Sequence, residues 1–235
     1  MQTIGRRSFL TVVSGATFAP LLNLAGDEVP SLLDHFILGC DDLARGITFV
    51  EQGTGLRAAF GGVHPGRGTH NALLSLGERR YLEIMAPDPA QNVTPQIPSL
   101  RELKEPRIVG WAAHIDDMEK LVQRLRKANL QFEGPRPGSR QRPDGKTLHW
   151  KRLTLKDDHD GLLPFFIEWS SDSIHPSADA PTGCRLTRFG VVTPNPAALK
   201  ELIDLLQIDV RVSPGAKAAL QASLAGSKGE LTLTS

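Results

Sequence analysis

The sequence predicts an α+β fold in which repeated βαβββ modules pair into an open, cup-shaped mixed sheet. A short apolar strand runs into a pair of aspartates and a helix twice, as LDHFILGCDDL from Leu33 and as RIVGWAAHIDDMEKL from Arg107. A later strand in each unit carries a glutamate, in RRYLEIMAP around Glu83 and in PFFIEWSS around Glu168. The same order of elements therefore occurs at least twice along the chain.

The composition is that of a globular protein that binds a small molecule. The 235 residues are 40% hydrophobic and 23% charged, which is enough to bury a core in one or two domains. The 27 basic and 26 acidic residues leave a net charge of +1 with no basic stripe, which argues against nucleic acid as a partner. Cys40 and Cys184 lack CxxC spacing, so we expect two buried thiols rather than a disulfide or a thiolate zinc site.

Residues 1–25 have the layout of an export signal. They contain no acidic residue and continue from MQTIGRRSFL into a run of apolar and small residues. The RRSFL segment resembles a twin-arginine signal, which directs folded proteins across the bacterial inner membrane. The apolar run is interrupted and short for a spanning helix, which needs about 20 apolar residues. We therefore expect a periplasmic or exported protein without a stable membrane span after signal removal; a ragged cytoplasmic N-terminus is the alternative.

The first module is predicted over residues 31–90. An apolar strand from Leu32 to Cys40 is followed by a helix near Ala44 to Gln52. Three strand-like runs come next, RAAFGGVHP, THNALLSL and RRYLEIMAP, with glycines at the turns and bulges between them. A proline-rich connection then leads from Pro87 to Pro106.

The second module is predicted over residues 106–170. The strand RIVGWAAHI precedes the helix MEKLVQRLRKANL, whose apolar residues lie near helical spacing and leave a basic outer face. Further strands are expected near Gln131, from Thr147 to Leu155 and from Leu163 to Trp169. The Ser, Pro and Asp content of residues 171–183 is typical of a linker.

A third, degenerate module is predicted over residues 184–235. It reads as the strand CRLTRFGVVTP, the helix PAALKELIDLL and three short runs that end in GELTLTS. Phe189 stands where His35 stands in the first module, and the last strand has no matching glutamate, so this module has no chemistry of its own. An odd third unit leaves a sheet face or edge to cover, and we expect it to pair with the same unit of a second chain in a homodimer.

Repeated βαβββ units with an early strand histidine and a last-strand glutamate resemble the vicinal oxygen chelate superfamily, which includes glyoxalase I, extradiol dioxygenases and bleomycin-resistance proteins. The likeness is closer to its glyoxalase-like domain group and spans about residues 31 to 170. It rests on the order of six segments: LDHFILGCDDL, HPGRGTHN, YLEIMAP, GWAAHIDDMEKLVQRLRKANL, PGSRQRPDG and LPFFIEW. The resemblance implies that two units form a cup whose metal ligands come from the first and last strands of each.

Carried onto this sequence, the resemblance implies the metal ligands His35, Glu83 and Glu168. The fourth position is Gly110, which has no side chain to donate. His114 shares that strand face by alternation but lies about 13 Å farther along the strand, so it does not replace the missing ligand. The remaining set suits Zn, Mn, Ni or ferrous iron. It does not match the two-histidine, one-carboxylate set of oxygen-activating iron, which weakens a dioxygenase reading.

In a glyoxalase-type mechanism the metal polarises a carbonyl or enediolate while a glutamate moves the adjacent proton. The resemblance makes Glu168 the catalytic base and leaves Glu83 as the steadier ligand. Without a metal, His35 is a core histidine, and both glutamates face solvent at the mouth of a cup. An isolated carboxylate in a strand is costly to bury unless it is paired or metal-bound, which favours the site.

Five further residues are candidates for substrate binding. A histidine and an asparagine follow a glycine-rich bend, an arginine lies in GSRQRPDG, where it could clamp a carboxylate or phosphate, and a tryptophan and a histidine share the strand of the second module. These residues are His70, Asn71, Arg140, Trp111 and His114. His64 lies at the same bend and could also face a ligand. The alternatives are a simple hairpin loop, a solvated arginine and a core tryptophan. Trp150 and Trp169 are weaker candidates, and His175 has no predicted role.

Two functions remain open at this level. One is a metal-dependent lyase or isomerase of glyoxalase-like type that acts on a small oxygen-chelating substrate; His35, Glu83 and Glu168 favour it. The other is a metal-free protein that binds or sequesters a small molecule, as bleomycin-resistance proteins do; Gly110 favours it. An exported structural module is a third reading, drawn from the third unit alone. True glyoxalase I activity is less expected, because its substrate is a cytoplasmic glutathione adduct and this chain resembles an exported protein.

Overall fold

The computed structural model describes residues 29–93, 97–142 and 144–235, and the predicted export signal lies outside them. The order βαβββ occurs three times in the described chain. The first set of elements is β1 (Leu33–Gly39), α1 (Leu43–Thr54), β2 (Ala59–His64), β3 (Thr69–Ser75) and β4 (Tyr81–Pro87).

The second set consists of β5 (Arg107–His114), α2 (Met118–Lys127), β6 (Phe132–Gln141), β7 (Thr147–Leu155) and β8 (Phe165–Trp169). The third set consists of β9 (Arg185–Thr193), α3 (Pro196–Leu206), β10 (Arg211–Pro214), β11 (Ala219–Gly226) and β12 (Gly229–Thr234). The two segments that connect the sets each contain a short 3₁₀ helix, Pro98–Glu102 and Pro176–Ala178.

The first two sets share one curled, eight-stranded mixed sheet in the order β2-β3-β4-β1-β5-β8-β7-β6. Within each set the first strand runs parallel to the last, and β1 joins β5 in the antiparallel sense. The edge strands β2 and β6 approach each other across the open side, where Arg140 donates from Nη1 to the carbonyl oxygen of Gly61. The α+β fold with paired modules and a cup-shaped sheet is therefore confirmed.

The aspartate pairs that revealed the repeat begin helices. The second aspartate of each pair is the N-cap: Asp42 accepts from the backbone N–H of Arg45 at 2.8 Å, and Asp117 accepts from that of Lys120 at 3.0 Å. At the other end of α1, Gly55 adopts a left-handed φ of 79°, which favours glycine and ends the helix.

The third module forms a separate four-stranded sheet in the order β10-β9-β11-β12, and it packs on the convex face of the large sheet. Phe189 has no exposed surface and lies 5.7 Å from Phe36 and 5.2 Å from Trp111 between ring centroids. The apolar face of this module is therefore covered within the chain. Among the described residues, the third module therefore has no uncovered apolar face for a second chain to cover. The homodimer stays a prediction. None of the helices described is long and apolar enough to cross a membrane.

The two connecting segments close the ends of the curled sheet. At one end, Leu100 and Leu103 pack against Ile37 and Met85. At the other end, Ala180 packs against buried side chains of β3 and β4, and the N–H of Ser75 donates to the carbonyl of Pro181 at 2.9 Å. Of these two segments, Ile97 of the first lines the cavity on the concave face of the sheet.

Candidate active site

The cavity has a volume of about 180 Å³ and is both charged and aromatic. Its polar side chains come chiefly from the first module, and its aromatic side chains chiefly from β7 and β8. The residues that line it are His35, Ile37, His64, Arg67, Thr69, Asn71, Tyr81, Glu83, Met85, Ile97, Arg140, Trp150, Arg152, Phe165, Ile167 and Trp169.

A β-bulge brings two neighbouring residues of β1 to the same site. Successive side chains of a strand normally point to opposite faces. Here Leu33 pairs with Ala113 and His35 pairs with Ala112, which leaves Asp34 as an extra residue without a partner on β5. The side chain of Asp34 is therefore able to contact the ring of His35.

Asp34 is fully buried and fixed by three ring N–H groups. Its Oδ1 lies 2.6 Å from Nδ1 of His35, and its Oδ2 accepts from Nε1 of Trp169 at 2.9 Å and lies 3.1 Å from Nε2 of His175. Burial by itself raises the pKa of Asp34, but the hydrogen bonds from His175 and His35 outweigh it and hold the pKa well below its usual range. The backbone N–H of Ser177 donates to Nδ1 of His175, so Nε2 of that ring carries the proton shared with Asp34.

His35 is oriented by this carboxylate. Because Nδ1 donates to Asp34, the lone pair of a neutral His35 lies on Nε2, which is 3.7 Å from Oε2 of Glu83. The ring stacks on Tyr81 with a centroid distance of 4.5 Å and meets the edge of Phe165 at 5.4 Å. An imidazole held on three sides presents one nitrogen in a fixed direction.

Glu83 lies between two histidines and an asparagine. Its Oε1 accepts from Nδ2 of Asn71 at 2.5 Å and is 3.6 Å from Nε2 of His64. The same Asn71 nitrogen is 3.3 Å from Nε2 of His64, whose Nδ1 lies 2.9 Å from Oγ1 of Thr69. An amide N–H points at Nε2, so Nδ1 carries the proton of a neutral His64. Burial lowers the pKa of His64, although the charge of Glu83 opposes the shift.

Three arginines give the cavity a preference for anions. Arg140 is 5% exposed, and Arg152 places its guanidinium 4.1 Å from the centroid of the Phe165 ring. Burial lowers the pKa of both, but an arginine side chain stays protonated in proteins. Arg67 lines the same cavity. A substrate that carries a carboxylate or another anionic oxygen group would be attracted to this site.

Of the eight residues predicted for the site, the structure brings four together. His35, Asn71, Glu83 and Arg140 all line the cavity. His70, Trp111, His114 and Glu168 are not among the lining residues.

The structure does not place Glu168 beside His35 and Glu83. Phe165, Ile167 and Trp169 face the cavity, so strand alternation sends Glu168 to the other face of the sheet. There it accepts from the backbone N–H of Met118 at 2.6 Å and from Nζ of Lys151 at 3.0 Å. The predicted placement of Glu168 is therefore corrected: its carboxylate holds the start of α2 and does not line this cavity.

Three further residues that were predicted to bind substrate do not line the cavity either. Trp111 is fully buried on the convex face, where Nε1 donates to the carbonyl of Leu162 at 2.9 Å. His70 follows the opposite alternation to Asn71 and contacts the edge of Phe60. His114 ends β5 beyond the cavity. The predicted placement of these three residues in the binding cavity is corrected, because none of them lines it.

Sequence reasoning missed several residues that the fold brings in. Asp34 depends on the bulge in β1, and His175 arrives from the segment that closes the sheet, so neither has a local signal. The sequence does not decide whether His64 faces a ligand or belongs to a simple hairpin loop, and it gives no signal for Arg152. Alternation from Glu83 would have placed Tyr81 on the same face of β4.

The donor atoms present do not fit a divalent metal ion. Within the described segments no group of three or more His, Cys, Asp or Glu side chains is arranged to hold one. The amide of Asn71 lies between Oε1 of Glu83 and Nε2 of His64, so only Nε2 of His35 and Oε2 of Glu83 remain as neighbouring donors. The described residues of the second module that line the cavity add none, because Gly110 has no side chain and Glu168 lies on the other face.

The sequence model of the glyoxalase-like domain family matches residues 33–206. No curated protein matches the sequence at a significant level.

Several solved structures are similar to this chain at low sequence identity, and the first of them shares its fold. A hypothetical protein from Staphylococcus aureus is 17% identical with a TM-score of 0.60, over 86% of this chain and 84% of that one. Methylmalonyl-CoA epimerase from Mycobacterium tuberculosis is 17% identical with a TM-score of 0.41, over 63% of this chain and 92% of that one. A methylmalonyl-CoA epimerase from Streptomyces coelicolor is 16% identical with a TM-score of 0.45, over 61% of this chain and 100% of that one.

Proposed function

We propose that this chain, which belongs to the glyoxalase-like domain family, is an isomerase or lyase that moves a proton on a small, anionic, oxygen-rich substrate. The observation that carries the proposal is the chain of contacts from Asp34 through His35 to Glu83. It ends in a cavity that three arginines make attractive to anions.

Glu83 is the proposed general base. Its Oε1 is held by Asn71, while Oε2 faces Nε2 of His35 at 3.7 Å, a gap that a substrate atom or a small movement can bridge. Removal of a proton from a carbon next to a carbonyl leaves negative charge on the carbonyl oxygen. The guanidinium groups of Arg140 and Arg152 line the same cavity and would stabilise that charge.

His35 is the proposed second proton carrier. Asp34 accepts from Nδ1 and so holds Nε2 of the ring toward Glu83 and the cavity. A proton taken by one of the two groups can return to the substrate from the other, which gives an isomerisation, or it can accompany loss of a leaving group, which gives a lyase reaction. No step in this mechanism passes through a metal, because the predicted set of His35, Glu83 and Glu168 does not assemble.

A metal-free binding protein is the second candidate. The hydrogen bond from Asn71 to Glu83 favours the binding protein. A carboxylate that already accepts from a neutral amide is stable in the folded site whether or not a reaction occurs there. The two functions differ in whether a bound substrate exchanges hydrogen with solvent.

The test is deuterium exchange followed by proton NMR. The full chain is incubated in heavy water with a panel of small 2-oxo and 2-hydroxy carboxylates. We expect deuterium next to the carbonyl of at least one of them, and we expect Glu83→Gln to slow it by about 100-fold or more. Glu168→Gln is the matched control and should exchange at the wild-type rate.

Two results would count against the proposal. Binding of these carboxylates without exchange would favour the binding protein. Exchange that survives in Glu83→Gln would remove Glu83 from the role of base.

A further inference from the structure

We propose that an open groove beside the cavity binds a phosphate-bearing part of the substrate, whose reacting end enters the cavity. The groove has a volume of about 870 Å³, against about 180 Å³ for the cavity. Its charged residues are Arg67, Glu133, Arg136, Arg152 and Lys156. This inference deepens the proposed function and rests on it for the reaction, but not for binding in the groove.

The groove and the cavity are continuous. Arg67 and Arg152 line both. Along β7, the inward-facing positions run from Trp150 in the cavity through Arg152 to Thr154 in the groove. A molecule that extends out of the cavity along this strand would pass directly into the groove.

The groove carries an excess of positive charge, although the whole chain is almost neutral. Four of its side chains are cationic and one is anionic, an excess of three positive charges, although the whole protein has a net charge of +1. The single carboxylate, Glu133, lies 3.2 Å from Arg136, and both side chains are largely exposed. A cleft lined by one sign of charge raises the local concentration of oppositely charged ligands.

The types of basic side chain in the groove favour a phosphate group as the bound anion. Three of the four are arginines, whose planar guanidinium binds two oxygens of a phosphate at once. The guanidinium of Arg152 is oriented by the ring of Phe165, and its Nε is buried without a hydrogen-bond partner. A phosphate group provides several acceptor oxygens and up to two negative charges at such a site.

The groove lies at an irregularity at the edge of the sheet. Glu133 pairs with Thr154 and Arg136 pairs with Arg152, so the register between β6 and β7 shifts between them and Gly134 and Pro135 fall outside the paired positions. The turn after β2 contributes Gly66 and Arg67 from across the gap. Four cationic side chains around one groove fit a single phosphate or pyrophosphate group.

Pyrophosphate is the probe for this groove. We would measure its binding to the full chain by calorimetry at fixed ionic strength. We expect wild type and Glu83→Gln to bind it equally, because Glu83 lies in the cavity. Arg136→Gln combined with Lys156→Gln should weaken binding by about tenfold or more, since two exposed cations that contact the anion are lost. Arg188→Gln combined with Lys217→Gln, a matched exposed pair in the third module, should leave binding unchanged.

The outcomes separate the two proposals. Absence of pyrophosphate binding, or equal binding by the groove variant, would overturn the phosphate site and leave the proton-transfer proposal standing. Equally tight binding of citrate, which carries no phosphate, would also overturn it. Loss of deuterium exchange in Glu83→Gln with intact pyrophosphate binding would support both.

Discussion

At the scale of single residues, Asp34 accounts for the geometry of the site. It accepts hydrogen bonds from three rings that come from different parts of the chain, His35, Trp169 and His175. A buried carboxylate with this many donors is stabilised in its ionised form. Asp34 therefore positions His35 and also ties the closing segment to the sheet.

Replacing Asp34 by Asn tests this positioning role. The variant keeps the size of the side chain but loses the charge that His35 and His175 bond to. We expect the free energy of unfolding to fall by about 2 kcal/mol, within the range for hydrogen bonds to a charged group. If the proposed reaction is present, the rate constant for exchange should fall while KM changes little.

Urea unfolding and the pH profile of the exchange rate measure the two effects. Trp169→Phe removes one neutral donor and is the comparison, since it should reduce stability by about 1 kcal/mol without altering the pH profile. An unchanged pH profile in Asp34→Asn would show that Asp34 does not act through His35.

The lowered pKa of His64 predicts how the free energy of unfolding depends on pH. Burial lowers its pKa below the ordinary value of 6.5, so the folded ring stays neutral where the unfolded ring is already protonated. The unfolded state then binds more protons, and stability must fall as the pH falls. The contribution is fully present above about pH 6.5 and is lost as the pH falls from there through the folded pKa.

Urea unfolding between pH 8 and pH 5 measures this dependence, and His64→Gln should flatten it. His114 has a pKa that burial shifts in the same direction, so His114→Gln is needed to separate the two contributions. A slope that His64→Gln leaves unchanged would contradict the assignment.

At the scale of elements, the start of α2 explains the position of Glu168. The first helical N–H groups lack partners within the helix, and here Glu168 and Asp117 accept from two of them. The negative charge of Glu168 also interacts favourably with the positive end of the helix dipole.

Removing the side chain in Glu168→Ala should therefore lower the free energy of unfolding by about 1 kcal/mol, the usual effect of losing a capping group. Exchange activity should stay at the wild-type level. Thermal unfolding and the exchange assay on the same sample check both statements. A stable but inactive Glu168→Ala protein would restore Glu168 to the chemistry.

At the scale of the whole molecule, the third module covers the back of the sheet that forms the site. Phe189 joins the rings of Phe36 and Trp111 in one core that continues behind β1 and β5. The module without chemistry of its own is thus attached to the strands that position His35.

Phe189→Ala should destabilise the protein by about 3 to 5 kcal/mol, because a fully buried ring leaves a cavity between two sheets. Phe60→Ala is the control, since that ring is 50% exposed and its loss should change stability little. Chemical unfolding of both variants gives the comparison. Equal effects would show that the two sheets do not share a core.

The predicted homodimer is tested by mass at working concentration. Sedimentation or light scattering should give twice the chain mass of 25.5 kDa if the dimer forms. A monomeric mass would agree with a third module that is satisfied by its own chain.

Local sequence patterns were enough to predict the element order, the α+β class and four of the residues that line the cavity. Strand alternation, aspartate caps and glycine punctuation are local, so the βαβββ pattern and residues such as His35 and Glu83 could be found without a structure. Alternation also places the side chains of Glu168 and Trp169 on opposite faces of β8. Which of the two faces the cavity is known only from the structure.

Which of these residues meet depends on contacts between distant segments of the chain. The bulge at Asp34 depends on the register between β1 and β5, and His175 reaches Asp34 from 141 positions away along the chain. Arg140 reaches Gly61 only because the sheet curls until its two edges approach. Such contacts depend on the free energy of packing distant segments together, which no short pattern records.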